Sequence, residues 1–206
     1  MIAIIDYGMG NLKSVSKAFQ MVGAQAKVTD NPNDLSDAKA VVLPGVGAFA
    51  RAMANLTELD ILPAITRIIK DGKPFLGICL GLQLLFTESE EHGTHRGLDI
   101  LKGKVKRFDL QLKTPHMGWN EVKIKSPQST VHSPQLFEDI ADNSYFYFVH
   151  TYYVDPDDKG IIIGTTKYGK DFASAVNKDN IWGVQFHPEK SSELGLKFLE
   201  NFCKLC

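Results

Sequence analysis

Short runs without a polar residue punctuate the first part of the chain, separated by stretches of helical spacing. Ile2–Ile5, Ala40–Leu43 and Phe75–Ile78 are such runs, the pattern of strands covered on both faces. A weaker strand is predicted over 25–29, closed by Asp30-Asn31-Pro32. Leu12, Val15, Ala18, Phe19 and Val22 recur at helical spacing, and Gly23 stops that helix. A second helix is predicted over 60–71, with Pro63 in its first turn and Gly72 at its end. A third, over 80–86, is rich in Leu, free of Pro, and follows Phe75–Ile78 almost at once. Strand and helix alternating through short connections predict an α/β fold with a largely parallel central sheet and flanking helices.

After Glu91 the texture changes. Segments 104–108 and 121–125 alternate polar with apolar residues, as half-exposed antiparallel strands do. Further strands are predicted over 145–150 and 160–165. Segments 173–176 and 181–186 flank a hairpin signal at Asn177-Lys178-Asp179-Asn180. An amphipathic helix over 192–205, starting at a Ser cap, ends the chain. No linker, repeat or low-complexity stretch divides residues 1–206, which read as a single domain with an antiparallel portion added in its second half.

Charge adds mainly exclusions. Lys and Arg number 23 against 24 Asp and Glu, so nothing draws the chain to nucleic acid or an anionic membrane. No apolar run approaches the roughly 20 residues of a membrane span, and the first residues lack a leader pattern. Three Cys, two of them in the last turn, imply no disulfide framework and fit a cytoplasmic protein. Neither a cofactor nor a metal is expected. Gly45-x-Gly47-x-x-Ala50 lacks the acidic residue roughly 20 positions on that a dinucleotide site requires, and Gly8-x-Gly10 is weak as a phosphate loop. Cys203-Lys204-Leu205-Cys206 has no second ligand pair for zinc.

Candidate chemistry centres on Gly77-Ile78-Cys79-Leu80-Gly81, a Gly-x-Cys-x-Gly form of the nucleophile elbow. Glycines suit a strand that turns sharply into a helix, where a Cβ would strike backbone. The turn puts the Cys79 thiol at a helix start, where free N–H groups favour thiolate. The alternative is a small buried hydrophobe, the usual fate of a free Cys. A base is available in His187-Pro188-Glu189 at the end of a predicted strand, where residues two apart face the same side. Pro188 biases His187 toward extended backbone. The order Cys, His, Glu differs from that of an α/β-hydrolase, whose acid precedes its His. His92, His95 and His132 lie in polar loops and read as solvated. The Pro44-Gly45-Val46-Gly47 turn is suited to offering backbone N–H groups to an oxyanion.

Gly77-Ile78-Cys79-Leu80-Gly81-Leu82-Gln83 with His187-Pro188-Glu189 resembles the class I (triad) glutamine amidotransferases. Asp6-Tyr7-Gly8-Met9-Gly10-Asn11, Pro44-Gly45-Val46-Gly47-Ala48-Phe49 and His116-Met117-Gly118-Trp119-Asn120 narrow the resemblance to the glutaminase subunits of imidazole glycerol phosphate synthases. It extends from Met1 to the terminal helix. It implies a three-layer sandwich, with Cys79 as nucleophile, His187 as acid–base group and Glu189 as its orienting partner. It implies an oxyanion hole from the N–H of Leu80 and one from the Gly45–Val46 turn. Gln83, Glu91 and the backbone of Thr151 and Tyr152 would hold the substrate glutamine. Asn11, Trp119, Asn120, Tyr147 and Lys190 would dock on a cyclase subunit, a (β/α)8 barrel, forming a heterodimer in histidine biosynthesis. Were the Val46 N–H turned away at rest, the chain alone would be nearly inactive. Three other readings stay open here: a Cys hydrolase for peptides or thioesters, a non-catalytic subunit with a vestigial elbow, and a paralogue supplying ammonia for surface-sugar synthesis.

Overall fold

The computed structural model describes residues 1–108, 111–125 and 135–206. Predicted His132 therefore lies outside the described residues. The elements run β1 (Ile2–Ile5), α1 (Leu12–Met21), β2 (Ala26–Thr29), α2 (Pro32–Asp37), β3 (Ala40–Leu43), α3 (Phe49–Glu58), α4 (Leu62–Lys70), β4 (Phe75–Ile78) and α5 (Leu80–Leu84). The second half adds β5 (Phe86–Ser89), β6 (His95–Arg96), β7 (Leu101–Arg107), β8 (His116–Ile124), β9 (Ser144–His150), β10 (Tyr152–Pro156), β11 (Ile162–Tyr168), β12 (Lys170–Lys178), β13 (Ile181–Val184) and α6 (Ser192–Cys203).

β2, β1, β3, β4 and β13 form the parallel core of a mixed sheet, in that order. Their buried side chains alternate between two apolar layers, as a period of two requires. Ile2, Ile4, Val42, Leu76 and Trp182 face α1 and α6, where Phe19, Phe198 and Phe202 meet them. Ala3, Ile5, Val41, Leu43 and Phe75 face α2, α3 and α4. The result is three layers, helix on sheet on helix. Antiparallel β12 continues the sheet from β13.

Three local expectations change. The predicted helix over 80–86 is only α5, because the amide groups of Ile100 and Leu101 bond the Leu85 carbonyl and draw Phe86 into β5. Sheet pairing there overrides the helical preference of a Leu-rich segment. β7 is antiparallel to β10 as expected, but parallel to β5. The pattern also predicts neither α2 nor α3. Asn31 caps α2 through its side chain, with Pro32 at the first helical position.

The crossing of β4 and α5 fixes the site. Cys79 takes φ 54° and ψ −106°, a strained conformation for a residue with a side chain. A Cβ on Gly81 would lie 1.7 Å from the Leu43 carbonyl oxygen, and one on Gly77 would lie 2.8 Å from the Gly81 carbonyl oxygen. A Gly81→Ala chain has no flexible side chain to displace, only backbone. It should lose on the order of 3 kcal/mol or more of stability, read as a shift in the urea midpoint or failure to fold.

Candidate active site

Cys79 is held from behind and open in front. Its N–H donates to the Val184 carbonyl at 2.7 Å, which ties the elbow to the end of β13. Its sulfur accepts from Gln185 Nε2 at 3.6 Å. The side chain faces a cavity of about 710 Å³ that Gln83, Glu91, Thr151 and Lys190 also line. α5 runs only from Leu80 to Leu84, so the helix dipole expected at Cys79 is small. The larger positive charge comes from His187.

His187 follows β13 with extended backbone, and Pro188–Lys190 then form a 3-10 turn. The turn, rather than strand alternation, brings Glu189 round to the ring: His187 Nδ1 lies 2.8 Å from Glu189 Oε1, both side chains nearly fully buried. Nδ1 therefore carries the proton. Nε2 is buried without a hydrogen bond. Burial opposes charge on the ring, yet the Cys79 sulfur and the Glu189 carboxylate outweigh it and push the His187 pKa up to about 10. His187 is thus an imidazolium at neutral pH, poised to give a proton. The expected Ser cap is used here instead. Ser191 Oγ donates to the His187 carbonyl at 2.6 Å and accepts from the Tyr147 N–H at 3.0 Å, with no capping bond to α6.

The glycine turn presents an oxygen. The Leu80 N–H donates to the Gly45 carbonyl at 3.3 Å, so a group expected to hold an oxyanion is already engaged. Tyr7 fixes the preceding residue by donating its hydroxyl to the Pro44 carbonyl at 2.9 Å. A Cβ on Gly45 would lie 2.3 Å from that hydroxyl oxygen, so only glycine fits beneath Tyr7. Val46 is partly exposed at the cavity mouth.

Gln83 points across the same space. Its Nε2 donates to the Tyr152 carbonyl at 3.0 Å and to Gln185 Oε1 at 3.1 Å. Gln185 Oε1 is thereby an acceptor, which turns its own amide hydrogens to Cys79. Sequence spacing gives Gln185 no role; its place two residues before His187 is the signal that could have found it. The Thr151 carbonyl accepts from the Phe108 N–H at 3.2 Å, and the Tyr152 carbonyl accepts from both Gln83 and His150. Glu91 Oε2 accepts from the Phe49 N–H at 2.5 Å and so closes the start of α3.

The sequence profile of glutamine amidotransferase class-I matches residues 3–206. The chain belongs to the class-I glutamine amidotransferase family. It is 52% identical over 204 residues to imidazole glycerol phosphate synthase subunit HisH of Moorella thermoacetica, covering 99% of this chain and 94% of that one. It is 50% identical to the subunit of the same name from Methanocaldococcus jannaschii, covering 100% of both. Among solved structures, a glutamine amidotransferase superposes with TM-score 0.75 at 17% identity, covering 98% of this chain and 100% of that one. PurLQS of Thermotoga maritima superposes with TM-score 0.74 at 16% identity, covering 99% and 95%. These structural likenesses bear out the class-I amidotransferase fold with its mixed sheet.

In this amidotransferase the residues expected to dock a partner fall into two groups. Trp119 and Tyr147 stand opposite each other on β8 and β9, their rings edge to face at 6.1 Å, and Lys190 Nζ lies 5.9 Å from the Tyr147 ring centroid. Trp119 is 53% exposed and Met117 on the same strand 66%, large values for such side chains. Asn11 instead caps α1, its Oδ1 accepting from the Ser14 N–H at 3.3 Å. Asn120 faces the other way from Trp119 and bonds His116. His92 is exposed as expected, whereas His95 is half-buried in β6. Cys203 closes α6, where burial pushes its thiol up to about 11.

Three buried histidines give the stability a defined pH profile. Burial alone pushes His116 down to about 4. Burial also pushes His150 down to about 3, with the charge of neighbouring rings adding to it and a bond to the Tyr152 carbonyl opposing it. An unfolded His titrates near 6.5, so between about pH 6.5 and 5 the unfolded chain binds protons that folded His116 and His150 refuse. Stability should therefore fall with pH across that window, by about 1.4 kcal/mol per unit for each ring. His187 acts in the opposite window: its folded proton persists up to about pH 10, so its contribution is full below 6.5 and lost as pH rises through 10. Urea titrations from pH 5 to 9 should give a maximum near pH 6.5, with a shallower acid limb in His116→Phe.

Proposed function

We propose that the chain is the glutaminase subunit of an imidazole glycerol phosphate synthase, acting through Cys79, His187 and Glu189. The observation that carries this is the buried His187–Glu189 pair beside a nucleophile-elbow cysteine, in a chain that matches HisH subunits over nearly their whole length. The reading takes residues 1–206 as one catalytic domain working in the cytoplasm. Its partner is a cyclase subunit of (β/α)8 form, docked over the Trp119, Tyr147 and Lys190 face.

The chemistry is acyl transfer. The Cys79 thiolate attacks the side-chain carboxamide carbon of glutamine, and the carbonyl electrons collect on oxygen. His187 gives its Nε2 proton to the leaving nitrogen as the C–N bond breaks, releasing ammonia and leaving a thioester. Water then attacks the thioester, His187 takes a water proton, and glutamate leaves as the C–S bond breaks. Glu189 keeps the ring in the Nδ1–H form throughout both steps. Gln83 and Glu91, with N–H groups near Thr151 and Tyr152, line the cavity that would take the amino-acid end of the substrate. Ammonia becomes protonated in water and then cannot act as a nucleophile, which favours passage straight into a docked acceptor enzyme. There it would close imidazole glycerol phosphate and release aminoimidazole carboxamide ribotide.

The Gly45 carbonyl on the Leu80 N–H supports a resting state with an incomplete oxyanion hole. Co-purification with the cyclase subunit, followed by ammonia release from glutamine with and without the cyclase's nucleotide substrate, tests the reading. Activity should rise by about 10²-fold or more with partner and nucleotide. Full activity of the isolated chain would refute the resting-state argument. Cys79→Ala should lose more than about 10³-fold while still binding the cyclase, and Glu189→Gln about 10²-fold in kcat.

A further inference from the structure

We propose that His116 and His150, joined to Asn120 on one side and the Tyr152 carbonyl on the other, form a positioning relay that holds Gln83 and Gln185 over the Cys79 thiol. The proposal rests on the glutaminase reading for its kinetic readout, though not for its geometry. The distances run without a gap. Asn120 Nδ2 lies 3.0 Å from the Lys167 carbonyl and 3.1 Å from His116 Nε2. His116 Nδ1 lies 3.0 Å from His150 Nε2, and His150 Nδ1 lies 2.8 Å from the Tyr152 carbonyl oxygen. That oxygen also accepts from Gln83, whose amide bonds Gln185, whose amide bonds the sulfur.

Each link has only one possible direction. A carbonyl can only accept, so His150 carries its proton on Nδ1 and its Nε2 must accept. His116 then carries its proton on Nδ1, and its Nε2 must accept from Asn120. Asn120 spends one amide hydrogen there and the other on Lys167, while its Oδ1 accepts from the Glu121 N–H at 2.8 Å. All four ring nitrogens and both Asn120 amide hydrogens are thereby engaged. The rings are locked by aromatic neighbours: His116 stacks between Phe148 at 5.0 Å and Tyr168 at 4.2 Å, and Phe108 and Phe172 each pack 5.2–5.3 Å from His150. Neither histidine is needed by the acyl-transfer chemistry. A buried polar pair of this kind costs stability unless every partner is present, and here the chain of partners ends on the residues that line the cavity.

Remove the His116 donor and His150 Nε2 is left buried without a partner, so the ring loses one of its two anchors and can turn away from the Tyr152 carbonyl. His116→Phe does this while keeping the ring stack, and His116→Asn returns an amide donor where Nδ1 stood. In complex with the cyclase subunit, His116→Phe should raise the KM for glutamine about tenfold, the worth of one hydrogen bond, with kcat changed by less than about threefold. His116→Asn should recover most of that loss. A folded, docked His116→Phe protein with unchanged KM, or an Asn variant as impaired as the Phe variant, would overturn the relay. Ring ¹⁵N spectra of the wild-type protein at pH 7 give an independent answer, and decide alone if the Phe variant fails to fold. Both rings should show a protonated Nδ1 and a bare Nε2, and a ring in the Nε2–H form refutes the proposal. A wild-type complex that released no ammonia would sink the glutaminase reading and leave this spectral test standing.

Discussion

The close approach of Gly81 to the Leu43 carbonyl is the constraint on which the site depends. There the end of β3 meets the first turn of α5 backbone to backbone, while the end of β13 meets Cys79 at the end of β4. Because Gly81 yields that space, α5 can start one residue after Cys79, and the thiol projects from a fixed corner. The same convergence lets the Cys79 N–H reach Val184 and the Leu80 N–H reach Gly45. The parallel core is therefore more than a scaffold: its strand ends supply the groups surrounding Cys79. This matches the general tendency of parallel sheets to place chemistry beyond their carboxyl ends.

Around that corner the buried polar groups sort by charge. His187 faces a carboxylate and a sulfur and keeps its proton far above the ordinary range. His116 and His150 sit in an aromatic nest with only neutral partners and are held uncharged. One fold thus carries imidazolium and neutral imidazole close together, and the His187 charge itself helps to keep His150 neutral. Separating the two states by environment is what would permit one ring to act as the proposed acid while the others serve as hydrogen-bonding links.

What the sequence makes legible here is what is local. The elbow is readable because both glycines lie two residues from Cys79, and the base because Glu189 lies two residues from His187. The buried strands β1, β3 and β4 are readable because both their faces are apolar. By contrast α3 starts without a capping side chain of its own; the carboxylate on its first N–H comes from Glu91, 42 positions later. Phe86 looks like the end of a helix until Leu101 is brought beside it. His116 and His150 are 34 positions apart and meet only through the register of β8 with β9. Lone histidines flanked by apolar residues carry no mark of such a meeting. Gln185 lay in plain view two residues before His187, but only the direction of the Gln83 amide tells which of its atoms meets the thiol.

On the proposed glutaminase reading, the Gly45 turn also bounds how strongly a partner must act. The 3.3 Å bond from Leu80 to Gly45 is long for an N–H···O contact and contributes about 1 kcal/mol or less. Breaking it would therefore be a small part of forming the proposed oxyanion hole; the larger part would be re-aiming a peptide whose neighbour, Pro44, is pinned by Tyr7. A two-state turn that moves from roughly 1% to 99% competent needs about 5.5 kcal/mol of differential binding. Trp119, Tyr145 and Met117, each at least half exposed on adjacent strands, carry apolar area of the order that a partner docked as proposed would need to supply it. Their strands are also those that carry His116 and His150. A load on the outer face of β8 and β9 would thus be applied to the backbone from whose inner face His116 meets His150, and His150 the Tyr152 carbonyl.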